Sequence, residues 1–169
     1  MAEALGPGGL RRGGLMRREP RSMSRHSADV GRRTEYLAFV LAGDTYAVRI
    51  AYIAEILKPP PVTPVPRAPR DVIGVMSVRG RLVTVIDLRR RFRLAEHPAD
   101  RRTRILLVEA GEEHIGLLVD EVLQVYRLAE SEIEPAQVLG GDQPAHIAGI
   151  GRPEGALLIL LDLKPILHR

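Results

Sequence analysis

The sequence repeats one pattern of apolar runs, turns and glycines within its own length, and this repeat limits the possible fold more than any other feature. The stretch VMSVRGRLVTVIDL (75–88) returns as IGRPEGALLILLDL (150–163). A shift of 75 residues superposes five identical positions: Gly74 on Gly149, Gly80 on Gly155, Leu82 on Leu157, Asp87 on Asp162 and Leu88 on Leu163. Identity at a single offset predicts two copies of one structural module.

The segment that precedes each of these stretches is repeated as well. Residues 35–56 (EYLAFVLAGDTYAVRIAYIAEI) and 103–125 (TRILLVEAGEEHIGLLVDEVLQV) both contain an apolar run, a turn glycine, a second apolar run and apolar residues three positions apart. In the first copy, the Gly43-Asp44 turn between two apolar runs indicates a β-hairpin. We therefore predict that the two copies span residues 34–94 and 103–167.

Each copy contains about five short apolar runs of strand length, and valine, isoleucine and leucine dominate them, which favours strands. A sheet this small removes its exposed edges best by closing into a barrel. Runs that are apolar at consecutive positions indicate strands buried on both faces. The predicted fold is mainly β, with two small barrels that share an aliphatic core.

Three segments between the main strands have their own signals. Residues 51–57 (AYIAEIL) fit either a short helix or a bent strand. Residues 58–69 hold six prolines, which exclude a helix and a central strand but allow an edge strand around 62–65. The stretch LRRRF after Asp87 predicts a short helix.

Positive charge is concentrated ahead of the folded region. Residues 1–33 contain eight arginines and three acidic residues, whereas the other 136 residues carry 17 basic and 18 acidic side chains. Without apolar periodicity, residues 1–33 are predicted to form a disordered basic tail. Three interpretations stay open: a solvated extension, an over-long reading frame whose true start is Met16 or Met23, or a weak, salt-sensitive contact with nucleic acid or an anionic membrane.

The sequence lacks the residue patterns of common enzymes and metal sites. Because the chain has no cysteine, it can form neither a disulfide nor a thiolate site. It has no glycine-rich phosphate loop and no nucleophile elbow, and its five histidines are scattered. Asp87 and Asp162 each precede a predicted helical turn, so we interpret them as N-caps rather than as a catalytic pair. We predict no enzyme activity, no cofactor and no metal.

Residues that differ between the two copies are free to serve a partner, because the fold does not require them twice. Arg79 lies beside Gly80 at a predicted turn, and its counterpart is Glu154. Glu55 has Gln124 as its counterpart. An arginine and a glutamate that only the first copy possesses can pair with each other or with a partner. The alternative for Arg79 is a solvated arginine at the tip of a hairpin.

The order of these motifs resembles the CheW family of chemotaxis coupling proteins. The resemblance covers about residues 34–167 and rests on the internal repeat and on IAEIL, the proline-rich link, GVMSVRGRLVTVIDLRRRF, GLLVDEVLQV and GRPEGALLILLDLKPIL. It implies two five-stranded SH3-like β-barrels with short helices. It also implies a non-enzymatic, cytoplasmic scaffold that couples chemoreceptors to a chemotaxis-type histidine kinase and joins membrane receptor arrays through its partners.

The resemblance also implies binding residues by position. A receptor groove between the barrels would involve Glu55 and Arg79, which are expected to pair with each other. The opposite wall of the groove would consist of Gly116, Val119, Val122 and Val125. The first barrel would dock onto the kinase's own CheW-like regulatory domain through Leu37, Ile50 and Ile53. The expected partners are that histidine kinase and the cytoplasmic tip of methyl-accepting chemoreceptors.

One function of another class competes with this interpretation, namely a small-barrel nucleic-acid-binding protein that uses the arginine-rich tail. The near-neutral folded part and its few aromatic residues disfavour it, because single-strand binders rely on aromatic stacking platforms. We therefore expect no nucleic acid partner. Insertion into a membrane is not expected either, because no apolar run reaches about 18 residues.

Overall fold

The computed structural model describes residues 32–141 and 144–168, so the predicted tail lies outside the described residues except for Arg32 and Arg33. The first half of this part forms five strands and one short helix: β1 (Thr34–Leu41), β2 (Asp44–Arg49), β3 (Ile53–Leu57), β4 (Val72–Val78), β5 (Arg81–Asp87) and α1 (Leu88–Arg91). The predicted hairpin is present, but its turn residues are Ala42 and Gly43, and Asp44 is the first residue of β2. Between β2 and β3 the chain makes one 3₁₀ turn, Ile50–Tyr52, so the segment 51–57 is mostly strand.

The second half of the described chain repeats this plan. It forms six strands and one short helix: β6 (Arg104–Ala110), β7 (Glu113–Val119), β8 (Glu121–Leu128), β9 (Ile133–Pro135), β10 (Ile147–Gly151), β11 (Leu158–Leu161) and α2 (Lys164–Leu167). Further 3₁₀ turns occupy Glu130–Glu132, Ala136–Leu139 and Pro153–Gly155. In the described part of the chain, none of the helices has the length and apolar character needed to cross a bilayer.

The described strands form two sheets, and each sheet takes strands from both copies of the repeat. The six-stranded sheet has the order β9–β10–β11–β2–β1–β8, and the five-stranded sheet has the order β3–β6–β7–β5–β4. The hairpin β1–β2 thus leaves its own copy and joins β8, β10 and β11. The hairpin β6–β7 makes the reverse exchange and joins β3, β4 and β5.

This exchange contradicts the predicted barrel boundaries of 34–94 and 103–167. The chain passes from the six-stranded to the five-stranded sheet through the 3₁₀ turn Ile50–Tyr52, and it passes back at Asp120. Both connections are short, three residues at Ile50–Tyr52 and one residue at Asp120, so the chain changes sheet by a sharp bend rather than through a long loop. The six-stranded sheet also exceeds the predicted five strands by β9, which has only three residues.

The strand registers show that the two sheets are equivalent. The parallel pair β5–β7 aligns Thr84 with Ile115, and the parallel pair β11–β2 aligns Ile159 with Tyr46. These are the same positions of the repeat, since 84 and 159 differ by the offset of 75, and Tyr46 and Ile115 are each the third residue of equivalent hairpin strands. The predicted repeat is therefore a repeat of structure as well as of sequence.

Two glycines of the repeat are required because another backbone segment crosses them closely. A Cβ atom on Gly74 would lie 2.2 Å from the carbonyl oxygen of Thr63, and one on Gly149 would lie 2.7 Å from that of Glu134. Thr63, in the proline-rich link, exchanges two backbone hydrogen bonds with Val75, at 2.8 and 2.9 Å. The link therefore covers the edge of β4, as β9 covers the edge of β10.

Apolar side chains form one shared core and a smaller core inside each barrel. The shared core receives buried residues from both sheets, among them Leu37, Phe39, Leu41, Val48, Leu106, Val108, Leu117 and Val119. The smaller cores consist of Tyr36, Ala38, Ala47, Leu128, Leu158 and Leu160 in one barrel and of Met76, Val83, Val85, Ile105 and Leu107 in the other. Because successive residues of β1 and β6 alternate between these cores, both strands are buried on both faces, as predicted.

Candidate functional site

An ion pair between Glu55 and Arg79 joins the two edges of the five-stranded sheet. Glu55 lies on β3, and Arg79 lies in the turn between β4 and β5, so the two residues stand at opposite ends of the strand order. The Arg79 guanidinium donates to both carboxylate oxygens of Glu55, with 2.9 Å from Nη2 to Oε2. Contact between the two edge strands means that the sheet curls into a barrel. The predicted Glu55–Arg79 pair is confirmed.

Arg79 presents its side chain from a strained turn. The φ of Arg79 is +49° and that of Gly80 is +82°, the two left-handed residues of a type I′ hairpin. A left-handed conformation is unfavourable for arginine. The counterparts Glu154 and Gly155 have φ values of +50° and +83°, so the fold requires this backbone but not the arginine.

The Arg79 guanidinium is both charged and accessible. The side chain of Arg79 is 71% exposed, whereas that of Glu55 is 27% exposed. The hydrogen bonds to Glu55, together with the charge of its carboxylate, raise the pKa of Arg79 above the ordinary arginine value. The pair therefore offers a partner a positive group whose position is fixed by a second, less accessible side chain.

A cavity of about 270 Å³ adjoins Arg79 on the barrel surface. It is lined by Val78, Arg79, Arg81, Val83, Leu107, Glu109 and His114. His114 joins two of the charged groups, because its Nδ1 lies 3.1 Å from Glu109 Oε2 and its Nε2 is hydrogen-bonded to Arg81. The sequence pattern did not indicate this cluster, since only the pairing of β5 with β7 brings Arg81 to His114. Apolar walls with a charged rim are typical of protein-binding surfaces.

Leu82, one of the positions repeated in the second copy, is exposed although it is apolar. Its side chain follows the Arg79 turn and is 76% exposed, and its counterpart Leu157 is also exposed. The alternation of side chains along β5 explains this exposure, because Val83 and Val85 face the barrel interior while Leu82 faces away. The exposed leucine extends the apolar surface beside the Arg79 turn.

The other residues of the expected receptor groove differ in accessibility. Gly116 is buried, and a Cβ atom there would lie 2.8 Å from Cγ2 of Ile105. Val119 belongs to the shared core and is buried as well. Neither residue is therefore accessible at the surface in this structure. Val122 is half-buried, and Val125 is 41% exposed, so these two can contact a partner.

The residues of the expected kinase face are divided in the same way. Leu37 is fully enclosed in the shared core, so it cannot contact a partner directly. Ile50 begins the 3₁₀ turn between β2 and β3 and is partly exposed. Ile53 packs partly against the shared core. Of the three residues, only Ile50 and Ile53 are thus accessible at the surface.

A second ion pair holds the two sheets together where the chain changes sheet. The Arg89 guanidinium donates to Asp120, with 2.8 Å from Nε to Oδ1, and Asp120 also accepts the Ala42 N–H at 2.8 Å. Arg89 belongs to α1, Ala42 to the β1–β2 turn. Burial raises the pKa of Asp120, but the hydrogen bonds from Arg89 and Ala42 outweigh it and leave that pKa below the ordinary aspartate value. The sequence pattern did not indicate this pair.

Asp87 has the N-cap role that the sequence predicts, but the same prediction is wrong for Asp162, which lies one residue before the N-cap of its helix. Asp87 Oδ1 accepts the N–H of Arg89 at 2.9 Å, and Asp162 Oδ1 accepts the N–H of Lys164 at 3.0 Å. Asp87 therefore caps the first turn of α1, whereas the N-cap residue of α2 is Leu163, which makes no side-chain cap hydrogen bond. Within residues 32–141 and 144–168, no three histidine, aspartate or glutamate side chains are grouped so that they could hold a metal ion.

Known proteins share both the sequence pattern and the fold. The family model described as a CheW-like domain matches residues 35–169. The chain is similar to chemotaxis protein CheW of Helicobacter pylori, with 30% identity over 80% of this chain and 82% of that protein, and to chemotaxis protein CheW of Bacillus subtilis, with 31% identity over 85% and 92%. It also superposes on the crystal structure of the scaffolding protein TtCheW from Thermoanaerobacter tengcongensis, with a TM-score of 0.75, 28% identity and coverage of 81% of this chain and 94% of that chain. These similarities confirm the fold of two SH3-like barrels, and the chain belongs to the CheW-like family.

Proposed function

We propose that this chain is a non-enzymatic adaptor that couples chemoreceptors to a chemotaxis-type histidine kinase. The family match across residues 35–169 carries the proposal, because it includes both sheets and both crossings between them. The similar proteins are chemotaxis proteins and a scaffolding protein. The comparisons give no support to the alternative of a nucleic-acid-binding barrel. Association with a membrane receptor array then comes through the partners.

The receptor site proposed for this chain centres on the Glu55–Arg79 pair. Exposure of the guanidinium, its fixed position and the neighbouring cavity support this assignment. Val122 and Val125 supply apolar contacts on the opposite wall, while Gly116 and Val119 keep the strands beneath it closely packed. The cytoplasmic tip of a methyl-accepting chemoreceptor is the proposed occupant.

The kinase site proposed for this chain lies around the 3₁₀ turn Ile50–Tyr52. Ile50 and Ile53 are aliphatic and only partly buried, and Tyr52 is 40% exposed between them. Apolar anchors of this kind dominate the affinity of protein interfaces. The proposed occupant is the CheW-like regulatory domain of the kinase, docked barrel to barrel.

Replacing Arg79 with glycine is expected to weaken receptor binding at least about tenfold without destabilising the protein. Glycine adopts the left-handed conformation of this turn without strain, so the barrel keeps its shape while the guanidinium is lost. Binding of an immobilised receptor-tip fragment, measured at several protein concentrations, gives the affinity. Binding of the kinase regulatory domain, measured in parallel, should not change.

Glu154→Gly is the matched control for Arg79→Gly, because Glu154 has the same backbone conformation in the other barrel. Glu154→Gly should fold and bind both partners like the wild type. The receptor site is wrongly assigned if Arg79→Gly still captures the receptor fragment normally. The adaptor function itself fails if the wild-type protein binds neither partner.

Replacing Ile50 with aspartate is expected to reduce kinase binding at least about tenfold and to spare receptor binding, because it places a charge at the centre of an apolar contact. Val65→Asp is the control, since Val65 is an exposed aliphatic residue on the proline-rich link. Thermal unfolding of both variants checks that the barrels remain intact. Equal loss of kinase binding in the two variants would contradict the proposed face.

A further inference from the structure

A cleft lined by arginines lies on a part of the surface that the proposed adaptor contacts do not use. It has a volume of about 320 Å³ and sits between α1 and the end of the proline-rich link. Its lining consists of Arg70, Asp71, Arg90, Arg91, Arg93 and Leu94. We call it the arginine cleft. Four arginines and one aspartate thus contribute to this lining.

Two of the four arginines are held in place by the fold. Arg90 donates from Nη1 to the carbonyl oxygen of Arg70 at 3.2 Å, and Arg91 donates from Nη2 to that of Pro165 at 2.6 Å. These carbonyl acceptors fix the side chains without neutralising their charge. Because these two side chains are already held in one conformation, binding of a ligand would cost less side-chain conformational entropy.

The carboxylates near these two arginines are not optimally placed to neutralise them. Arg91 Nε lies 3.6 Å from Asp71 Oδ2, and Arg90 Nε lies 3.7 Å from Asp87 Oδ2. Arg90 Nη2 lies 3.4 Å from Glu96, whose side chain is largely exposed. All three distances exceed the 2.7–2.9 Å of a charge-assisted hydrogen bond. These three carboxylates stand against four guanidinium groups, so the group as a whole keeps a positive charge.

The other two arginines point to a ligand more directly. Arg70 and Arg93 are exposed, and no hydrogen bond or ion pair joins either guanidinium to another residue that the structure describes. The two residues come from different segments of the chain: Arg70 precedes β4, and Arg93 follows α1. An anion in the cleft would give both side chains the partner that the protein does not provide.

The internal repeat shows that the fold does not need this charge. With the offset of 75 residues, the counterparts of the four arginines in the second copy are Ala145, Pro165, Ile166 and His168. The second copy folds into an equivalent strand pair and an equivalent short helix, α2, without an arginine at any of these positions. The four arginines are therefore an addition to the first copy, like Arg79.

We propose that the arginine cleft binds a phosphoryl group, either of a soluble phosphorylated molecule or of a lipid headgroup. The planar guanidinium fork matches two oxygens of a phosphate, and several arginines can share one phosphate through different oxygens. The volume of the cleft admits a phosphate-sized or pyrophosphate-sized group, whereas it is too small for a folded protein. This activity is independent of receptor and kinase binding.

Pyrophosphate is the probe for the first test. Calorimetric titration of the full chain at a constant ionic strength of about 0.15 M is expected to show one saturable site. Arg70→Gln/Arg93→Gln should weaken that binding at least about tenfold, because it removes the two unpaired guanidiniums. Arg49→Gln/Arg101→Gln, which removes the same charge from exposed positions elsewhere, should change it less than about twofold. Thermal unfolding without pyrophosphate checks that both variants fold.

Vesicles distinguish the two sources of the phosphoryl group. Cosedimentation with phosphatidylcholine vesicles that contain phosphatidic acid, compared with phosphatidylcholine alone, is measured for both double variants. The arginine-rich residues 1–33 are present in both proteins, so any difference reports the cleft. If cosedimentation with the phosphatidic acid vesicles depends on Arg70 and Arg93, the phosphoryl group belongs to a lipid. If the protein binds pyrophosphate but does not cosediment in this way, the phosphoryl group belongs to a soluble molecule.

Two results would overturn the proposal. One is the absence of saturable pyrophosphate binding to the wild-type chain up to about 10 mM. The other is an equal loss of binding in the two double variants, which would show that net charge alone attracts the anion. Unchanged receptor and kinase binding in Arg70→Gln/Arg93→Gln would confirm that the cleft acts separately from the adaptor surfaces.

Discussion

Replacing Gly74 with alanine is expected to lower the free energy of unfolding by about 3 kcal/mol. The added Cβ would lie 2.2 Å from the carbonyl oxygen of Thr63 and 2.7 Å from its carbonyl carbon. These are backbone atoms, so no side-chain rotation can relieve the overlap. The proline-rich link must move away from β4, and the paired hydrogen bonds between Thr63 and Val75 are lost. Chemical denaturation measures the change, and amide hydrogen exchange at Val75 locates it.

Gly43→Ala separates the overlap from the backbone strain. Gly43 has a φ of +87°, and a Cβ atom there would meet nothing within 4 Å. Alanine at this position therefore adds only the strain of a left-handed residue, about 1 kcal/mol. If Gly43→Ala and Gly74→Ala cost the same, the close approach of the link does not contribute to stability.

Replacing Asp120 with alanine is expected to lower the free energy of unfolding by about 2 kcal/mol. The change leaves the partly buried Arg89 guanidinium without its bidentate partner and the Ala42 N–H without an acceptor. Loss of a fully buried pair would cost more, but Asp120 is partly exposed. Asp44→Ala, which removes an exposed aspartate near the same turn, should change stability by less than about 0.5 kcal/mol.

The effect of Asp120 should also depend on pH. The pKa of Asp120 is lower in the folded protein than its ordinary value, so the ionised form is favoured by folding. The stabilisation is present above the unfolded-state pKa of about 3.9 and is lost as the pH falls through the lower folded-state pKa. The difference in stability between wild type and Asp120→Ala should therefore shrink under acid conditions. A difference that stays constant down to the lowest pH at which the protein folds would contradict the ion pair.

The sequence predicts the local elements and the repeat, but it does not predict which strands pair in each sheet. The glycine turns, the capping Asp87 and the offset of 75 residues all follow from residue type and spacing. The exchange of hairpins cannot be predicted in this way. The hairpins β1–β2 and β6–β7 have the same apolar pattern, so either hairpin could pair with either set of partner strands. Only the structure shows that the chain changes sheet at Ile50–Tyr52 and at Asp120.

The candidate site was predictable only for residues that one copy alone possesses. Comparison of the copies identified Arg79 and Glu55, and the structure brings them together. Leu37 and Val119 could not be distinguished from surface residues by sequence, because an aliphatic side chain in a strand fits a shared core and a docking face equally well. The arginine cleft was hidden for another reason: Arg70 and Arg93 are 23 positions apart, and only folding places them together.

The crossing of the chain between the two sheets makes each half of the sequence dependent on the other. A polypeptide that held only one copy of the repeat could complete its sheet only by trading hairpins with a second identical molecule, so its stability would depend on concentration. Because the two copies are joined in one chain, the exchange of hairpins is intramolecular, and each hairpin has a high effective concentration near its partner strands. A backbone cut in the connection 95–103 would reverse this benefit and turn one folding molecule into an assembly of two fragments.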